Sequence, residues 1–99
     1  MPMQNPCHPG ELIRVAMGRQ ITVTALAQHL CVTRAHLSMI LNGRAGVSAL
    51  MSLKLDEAFD KSDGFWYRAQ QQFDLAQARK IKRPRVQSIH KALDLKKAA

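Results

Sequence analysis

The chain has 99 residues, 46% hydrophobic and only 5% aromatic, a length that accommodates one small domain with a single core. Its 15 Lys and Arg residues exceed its 7 Asp and Glu residues, and the net charge of +8 favours a polyanionic partner. No apolar run approaches the roughly 18 residues of a membrane span, and no signal-peptide pattern is visible. We therefore expect a cytoplasmic domain without membrane contacts.

The positive charge is concentrated at the C-terminal end. Residues 1–79 carry eight basic and six acidic side chains, whereas residues 80–99 carry seven basic side chains and only Asp94 as an acid. We expect residues 1–7 to form an N-terminal arm, residues 8–79 a folded domain, and residues 80–99 a basic tail. Pro84 interrupts any helix there, so the tail is predicted to be disordered or to form a short helix through Val86, Ile89 and Leu93.

The first helices of the folded domain have recognisable boundaries. Pro9 suits the first position of a helix that ends at Gly18. Thr22 or Thr24 is the predicted cap of a second helix, and Thr33 caps a third that ends at Asn42-Gly43.

Two further helices complete the predicted all-α domain. Ser48 is the expected cap of the fourth helix, and Ser62 or Asp63 the expected start of the fifth. In the fifth helix, Phe65, Trp66 and Phe73 follow a helical spacing that is more typical of a core than of a surface for base stacking.

Residues 22–44 have the pattern of two short helices joined by a tight turn. Ala27 is the small residue at which the helices are expected to cross, and an apolar wedge surrounds it: Leu26, Leu30, Val32, Leu37 and Ile40. The pattern predicts a helix-turn-helix, with a recognition helix over about 33–42 that presents side chains to the major groove of duplex DNA.

These residues resemble the Cro/C1-type helix-turn-helix family, and more narrowly the HigA-type antitoxins of toxin–antitoxin pairs. The narrower resemblance rests on three segments: His8-Pro9-Gly10-Glu11-Leu12, the run from Ile40 to Ser48, and Phe65-Trp66 with Gln70 and Phe73-Asp-Leu-Ala. The resemblance spans residues 8–79. It implies a five-helix Cro/C1-repressor-like domain, a homodimer, an operator in the chain's own promoter, and a small ribonuclease toxin of the HigB type as partner.

Three residues depart from that family's pattern. Cys31 stands where the family usually has a glycine, a position that favours a left-handed backbone, so we expect strain or an altered turn there. Val23 replaces a glutamine that holds a phosphate in many relatives. Met39 replaces a polar or basic residue on the exposed face of the recognition helix.

Nine residues are candidate DNA contacts. Arg34 is expected to donate two hydrogen bonds to a guanine, with a phosphate contact as the alternative, and Met39 to contact a thymine methyl group. Ala35 permits close approach of the helix, whereas Arg44 and the start of the second helix are expected at phosphates. The full set is Thr22, Thr24, Thr33, Arg34, Ala35, His36, Ser38, Met39 and Arg44.

No pattern indicates catalysis, a metal or a cofactor. Cys7, His8, His29 and Cys31 lack the spacing of a zinc finger, and the adjacent Asp56 and Glu57 diverge on a helix. Two hypotheses follow: a dimeric repressor and antitoxin that binds double-stranded DNA, or a protein-interaction module that neutralises a partner with weak or no specific DNA binding.

Overall fold

The computed structural model describes residues 6–62 and 64–94, and none of these forms a strand. The all-α prediction is therefore confirmed. The helices are α1 (Pro9–Met17), α2 (Val23–Leu30), α3 (Arg34–Leu41), α4 (Ala49–Ala58), α5 (Phe65–Lys80) and a short α6 (Ile89–Ala92). Most of the predicted arm, residues 1–5, and the end of the predicted tail, residues 95–99, lie outside the described residues, as does Asp63.

Three predicted capping residues begin the helices as expected. The hydroxyl groups of Thr22, Thr33 and Ser48 accept hydrogen bonds of 3.1, 3.0 and 3.2 Å from the backbone N–H groups three residues further on. Each bond satisfies an N–H that has no partner within its own helix. A fourth cap was not predicted: Nδ1 of His8 accepts a 2.9 Å hydrogen bond from the backbone N–H of Gly10 at the start of α1.

Of the two predicted starts of α5, Ser62 was wrong and Asp63 lies outside the described residues. The helix begins at Phe65, and the residue before it, Gly64, has no side chain with which to cap it. The buried carboxylate of Asp56 on α4 takes this role instead, since it accepts hydrogen bonds from the N–H groups of Gly64 (2.6 Å) and Trp66 (3.5 Å). A negative charge is favourable at a helix N-terminus, so Asp56 fixes how α5 joins α4.

The hydrophobic core combines residues of α1 to α5. Ala27 is 2% exposed at the contact between α2 and α3, and Trp66 is 1% exposed. The wedge predicted around Ala27 is present, with Val32 partly buried against the core. Trp66 is therefore a core residue, as its spacing suggested, and cannot stack on a base.

Gly10 allows α1 to approach α3 closely. A Cβ atom at this position would overlap the backbone carbonyl oxygen of Ile40 and lie 3.0 Å from the Cα atom of Leu41. Only a residue without a Cβ fits here, because the neighbouring atoms belong to the backbone of α3. The C-terminal end of α3 is thus held directly against the first turn of α1.

The basic tail leaves this domain after Lys80. Residues 81–89 are exposed, and α6 contacts no other helix of the described chain. Among residues 6–62 and 64–94, no helix has the length and apolar character required to cross a membrane.

Candidate nucleic-acid interface

The third helix has one buried side and one side exposed to solvent. Leu37, Ile40 and Leu41 are buried on one side of α3. At about 100° per residue, Ala35 and Met39 lie opposite that side, one turn apart. Met39 is 47% exposed, and both residues are accessible to a ligand that approaches α3 from outside.

The nine predicted contact residues are accessible to different degrees. Ser38 is half-buried, and the other eight are exposed. They occupy three places: Thr22 and Thr24 at the start of α2, the residues from Thr33 to Met39 on α3 and at its cap, and Arg44 in the loop that follows. Thr24 lies within α2 and is not its cap, whereas the hydroxyl groups of Thr22 and Thr33 are engaged in capping bonds.

A hydrogen-bond network holds the C-terminal end of α3. Arg14 of α1 donates from Nε to the carbonyl oxygen of Leu41 (3.3 Å) and from Nη2 to Oδ1 of Asn42 (2.9 Å). The Asn42 amide in turn donates to Oγ of Ser38 (3.3 Å). A cation at the end of a helix also interacts favourably with the helix dipole, so Arg14 stabilises the orientation of α3.

The loop between α3 and α4 is fixed from both sides. The N–H groups of Arg44 and Ala45 donate to the carbonyl oxygen of Met39 at 2.8 and 3.2 Å. Further along, the N–H of Val47 donates to Oε1 of Gln70 on α5 (2.8 Å). The Arg44 side chain is thus carried by an ordered backbone immediately after the recognition helix, where it remains exposed.

The turn between α2 and α3 keeps a left-handed residue although that residue is Cys31. Its backbone angles are φ 58° and ψ 43°, within the left-handed region. The N–H groups of Cys31 and Val32 cap the end of α2 by donating to the carbonyls of Gln28 (3.2 Å) and Ala27 (3.0 Å). The turn geometry is retained, and the expected strain resides in the backbone of Cys31.

Sequence reasoning did not assign roles to several residues that position α3. Arg14 and Gln70 act through hydrogen bonds to distant parts of the chain, and no local pattern identifies such partners. Gly10 belongs to the His8–Leu12 segment that resembles the HigA-type antitoxins, but only its close approach to the backbone of Ile40 explains why a glycine is needed there.

A helix-turn-helix family model matches residues 12–66, more than half of the chain. The chain belongs to the Cro/C1-type helix-turn-helix family. It is 49% identical over 77 residues to virulence-associated protein A′ of Dichelobacter nodosus, a match that covers 76% of this chain and 67% of that protein. This family consists of DNA-binding regulators and is not a family of enzymes.

Solved structures place this helix-turn-helix chain among HigA-family antitoxins. An addiction module antidote protein of the HigA family from Coxiella burnetii is 30% identical, with a TM-score of 0.71 over 75% of this chain and 83% of that one. Antitoxin HigA of Pseudomonas aeruginosa, solved with the higBA promoter, is 37% identical, with a TM-score of 0.69 over 75% and 83%.

The described residues form no candidate metal site. No three His, Cys, Asp or Glu side chains among residues 6–62 and 64–94 lie close enough together to hold an ion. Cys7 and Cys31 are both free thiols.

Proposed function

We propose that this chain is a sequence-specific repressor and antitoxin. As a homodimer in the cytoplasm, it binds an operator in its own promoter and neutralises a small ribonuclease toxin of the HigB type. The observation that carries the proposal is the exposed face of α3, which is held rigidly by the core on one side and by Arg14 at its end. The promoter complex of the Pseudomonas aeruginosa relative supports it, since that protein has the same fold at 37% identity.

In this proposal, α3 enters the major groove with its N-terminal end at the base edges. Arg34 follows the Thr33 cap and donates two hydrogen bonds to a guanine, while His36 and Met39 contact neighbouring bases. Ala35 allows the helix backbone to approach, because its side chain is small.

Phosphate contacts fix the register of the protein on the duplex. Thr22 and Thr24 place the N-terminal end of α2 at one phosphate, and Arg44 contacts another. Because Ser38 is half-buried and accepts a hydrogen bond from Asn42, we assign it to the edge of the interface.

A second function is favoured by one observation. Val23, at the position of a phosphate-binding glutamine in many relatives, is partly buried against the hydrophobic core. The family resemblance then implies one phosphate contact fewer, which suits a module that mainly neutralises a protein partner and binds DNA weakly.

Equilibrium binding separates the two functions. The full chain is titrated into a labelled duplex from its own promoter and into a scrambled duplex of equal length and composition, at the same salt concentration. Repressor function predicts a preference for the promoter of at least about 10³-fold. Equal affinities would support the protein-interaction module, for which co-purification with a HigB-type toxin is the test.

A further inference from the structure

A second basic surface lies outside the helix-turn-helix. Four cationic side chains line a single concavity of about 590 Å³ where α5 ends and the tail begins. They are Arg79, Lys82, Arg83 and Arg85, and the remaining lining comes from Ile81 and Val86. We call this surface the basic concavity. All of its lining belongs to described residues, and none of that lining is acidic.

This arrangement favours an anionic ligand. Four like charges around one concavity repel one another, and the attraction of a bound anion to each of them offsets that repulsion. Three of the four are arginines, whose planar guanidinium group donates two parallel hydrogen bonds to a phosphate.

The groove that contains Arg44 extends to the middle of α5. The ring of Phe73 lies 4.9 Å from the ring of His8, at the start of α1. His8, Arg44 and Asp74 line one shared groove. Arg79 follows Asp74 by five residues, or about 7.5 Å along the helix. Because five residues also turn by about 140°, Arg79 points to a different side of α5 from Asp74, and the basic concavity is a surface separate from this groove.

The segment after α5 does not pack against the helices of the domain. Residues 81–88 form no helix, and their side chains are exposed. Val86, Ile89 and Leu93 are 87%, 60% and 58% exposed, so they do not dock on the domain from which they extend.

We propose that the basic concavity binds backbone phosphates of the operator. The inference rests on the proposed function, because it places the concavity on the duplex that α3 occupies. Lys82, Arg83 and Arg85 lie on a segment without helical structure, so they approach phosphates without a fixed register relative to the bases. The basic concavity therefore contributes affinity and salt dependence, and it does not contribute sequence preference.

The test compares two double variants of equal charge. Lys82→Gln/Arg83→Gln removes two charges from the basic concavity. Lys54→Gln/Lys61→Gln removes two charges elsewhere: Lys54 lines a groove with Cys31 at the end of α2, and Lys61 lies over the Phe65 ring. Affinities of the full chain and both variants are measured for promoter and scrambled duplexes over a range of salt concentrations.

We expect only the variant in the basic concavity to flatten the dependence of log affinity on log salt. The two cations removed from each protomer neutralise one or two phosphates, so in a dimer the slope falls by about 1.8–3.6, at about 0.9 per phosphate. Affinity for promoter and scrambled duplexes should fall by the same factor. A slope equal to that of the unmodified chain, an equal loss in the Lys54 and Lys61 variant, or a selective loss on the promoter duplex would each overturn the inference.

This design separates the inference from the proposed function. If the unmodified chain binds both duplexes equally, the repressor function fails. If it prefers its promoter but the Lys82 and Arg83 variant keeps the full salt slope, only the role of the basic concavity fails.

Discussion

Gln70 on α5 accepts a buried hydrogen bond of 2.8 Å from the backbone N–H of Val47, 23 residues earlier in the chain. The other end of the same amide donates to Oδ1 of Asp74 (2.9 Å), which fixes the orientation of the side chain. The loop that carries Arg44 is therefore tied to the longest helix of the domain. This bond links the packing of the core to the position of a predicted phosphate contact.

Replacement of Gln70 by methionine should lower the free energy of unfolding by about 1–3 kcal/mol. Methionine fills a similar volume but leaves the buried N–H of Val47 without a partner. Urea denaturation measures the loss, and Gln71→Met is the matched control because Gln71 is exposed. Equal stability of the two variants would show that the bond to Val47 does not matter.

Gly10→Ala should destabilise the domain by about 1–3 kcal/mol, because the new methyl group must displace the backbone of α3 at Ile40. The displacement should also weaken binding to the promoter duplex, since it moves the recognition helix. Glu11→Ala changes an exposed residue of the same turn and should alter stability by less than about 0.5 kcal/mol. A Gly10→Ala variant with unchanged melting temperature and DNA affinity would contradict the close packing of α1 on α3.

Cys31→Gly should raise the free energy of unfolding by about 0.5–1 kcal/mol. Glycine adopts the left-handed conformation without strain, although its greater freedom in the unfolded chain offsets part of the gain. Asp60 has a similar φ of 55°, and aspartate tolerates this region better, so Asp60→Gly should bring a smaller gain. A loss of stability in the Cys31 variant would mean that its side chain stabilises the turn.

Much of the helical framework could be predicted from local sequence. Thr22, Thr33 and Ser48 act within one turn of their own helices, so their capping bonds follow from the sequence alone. The burial of the small Ala27 where α2 crosses α3 likewise follows from the spacing of its apolar neighbours.

The parts that could not be predicted depend on tertiary contacts. Asp56 caps a helix that begins nine residues later, whereas the local sequence predicted Ser62 or Asp63 for this role. The bond between Arg14 and Asn42 joins residues 28 positions apart. Sequence spacing identified the face of α3, but not the side chains that hold it in place.

Arg34→Ala should weaken binding by about 1–3 kcal/mol per half-site and relax the preference at a single base pair. The reason is the exposed position of Arg34 directly after the Thr33 cap, at the end of α3 predicted to meet the bases. Competition with promoter duplexes altered at one base pair at a time measures the effect. If promoter and scrambled duplexes lose affinity equally, Arg34 contacts a phosphate and does not read a base.

Footprinting of the full chain on its own promoter tests the central claim most directly. A two-fold dimer with one recognition helix per protomer requires two half-sites whose centres lie about 34 Å apart, one helical turn, or a multiple of it. We predict two protected half-sites of related, inverted sequence with that spacing. A single unpaired half-site, or no protection at concentrations that bind scrambled DNA, would contradict the account of this chain as a dimeric repressor.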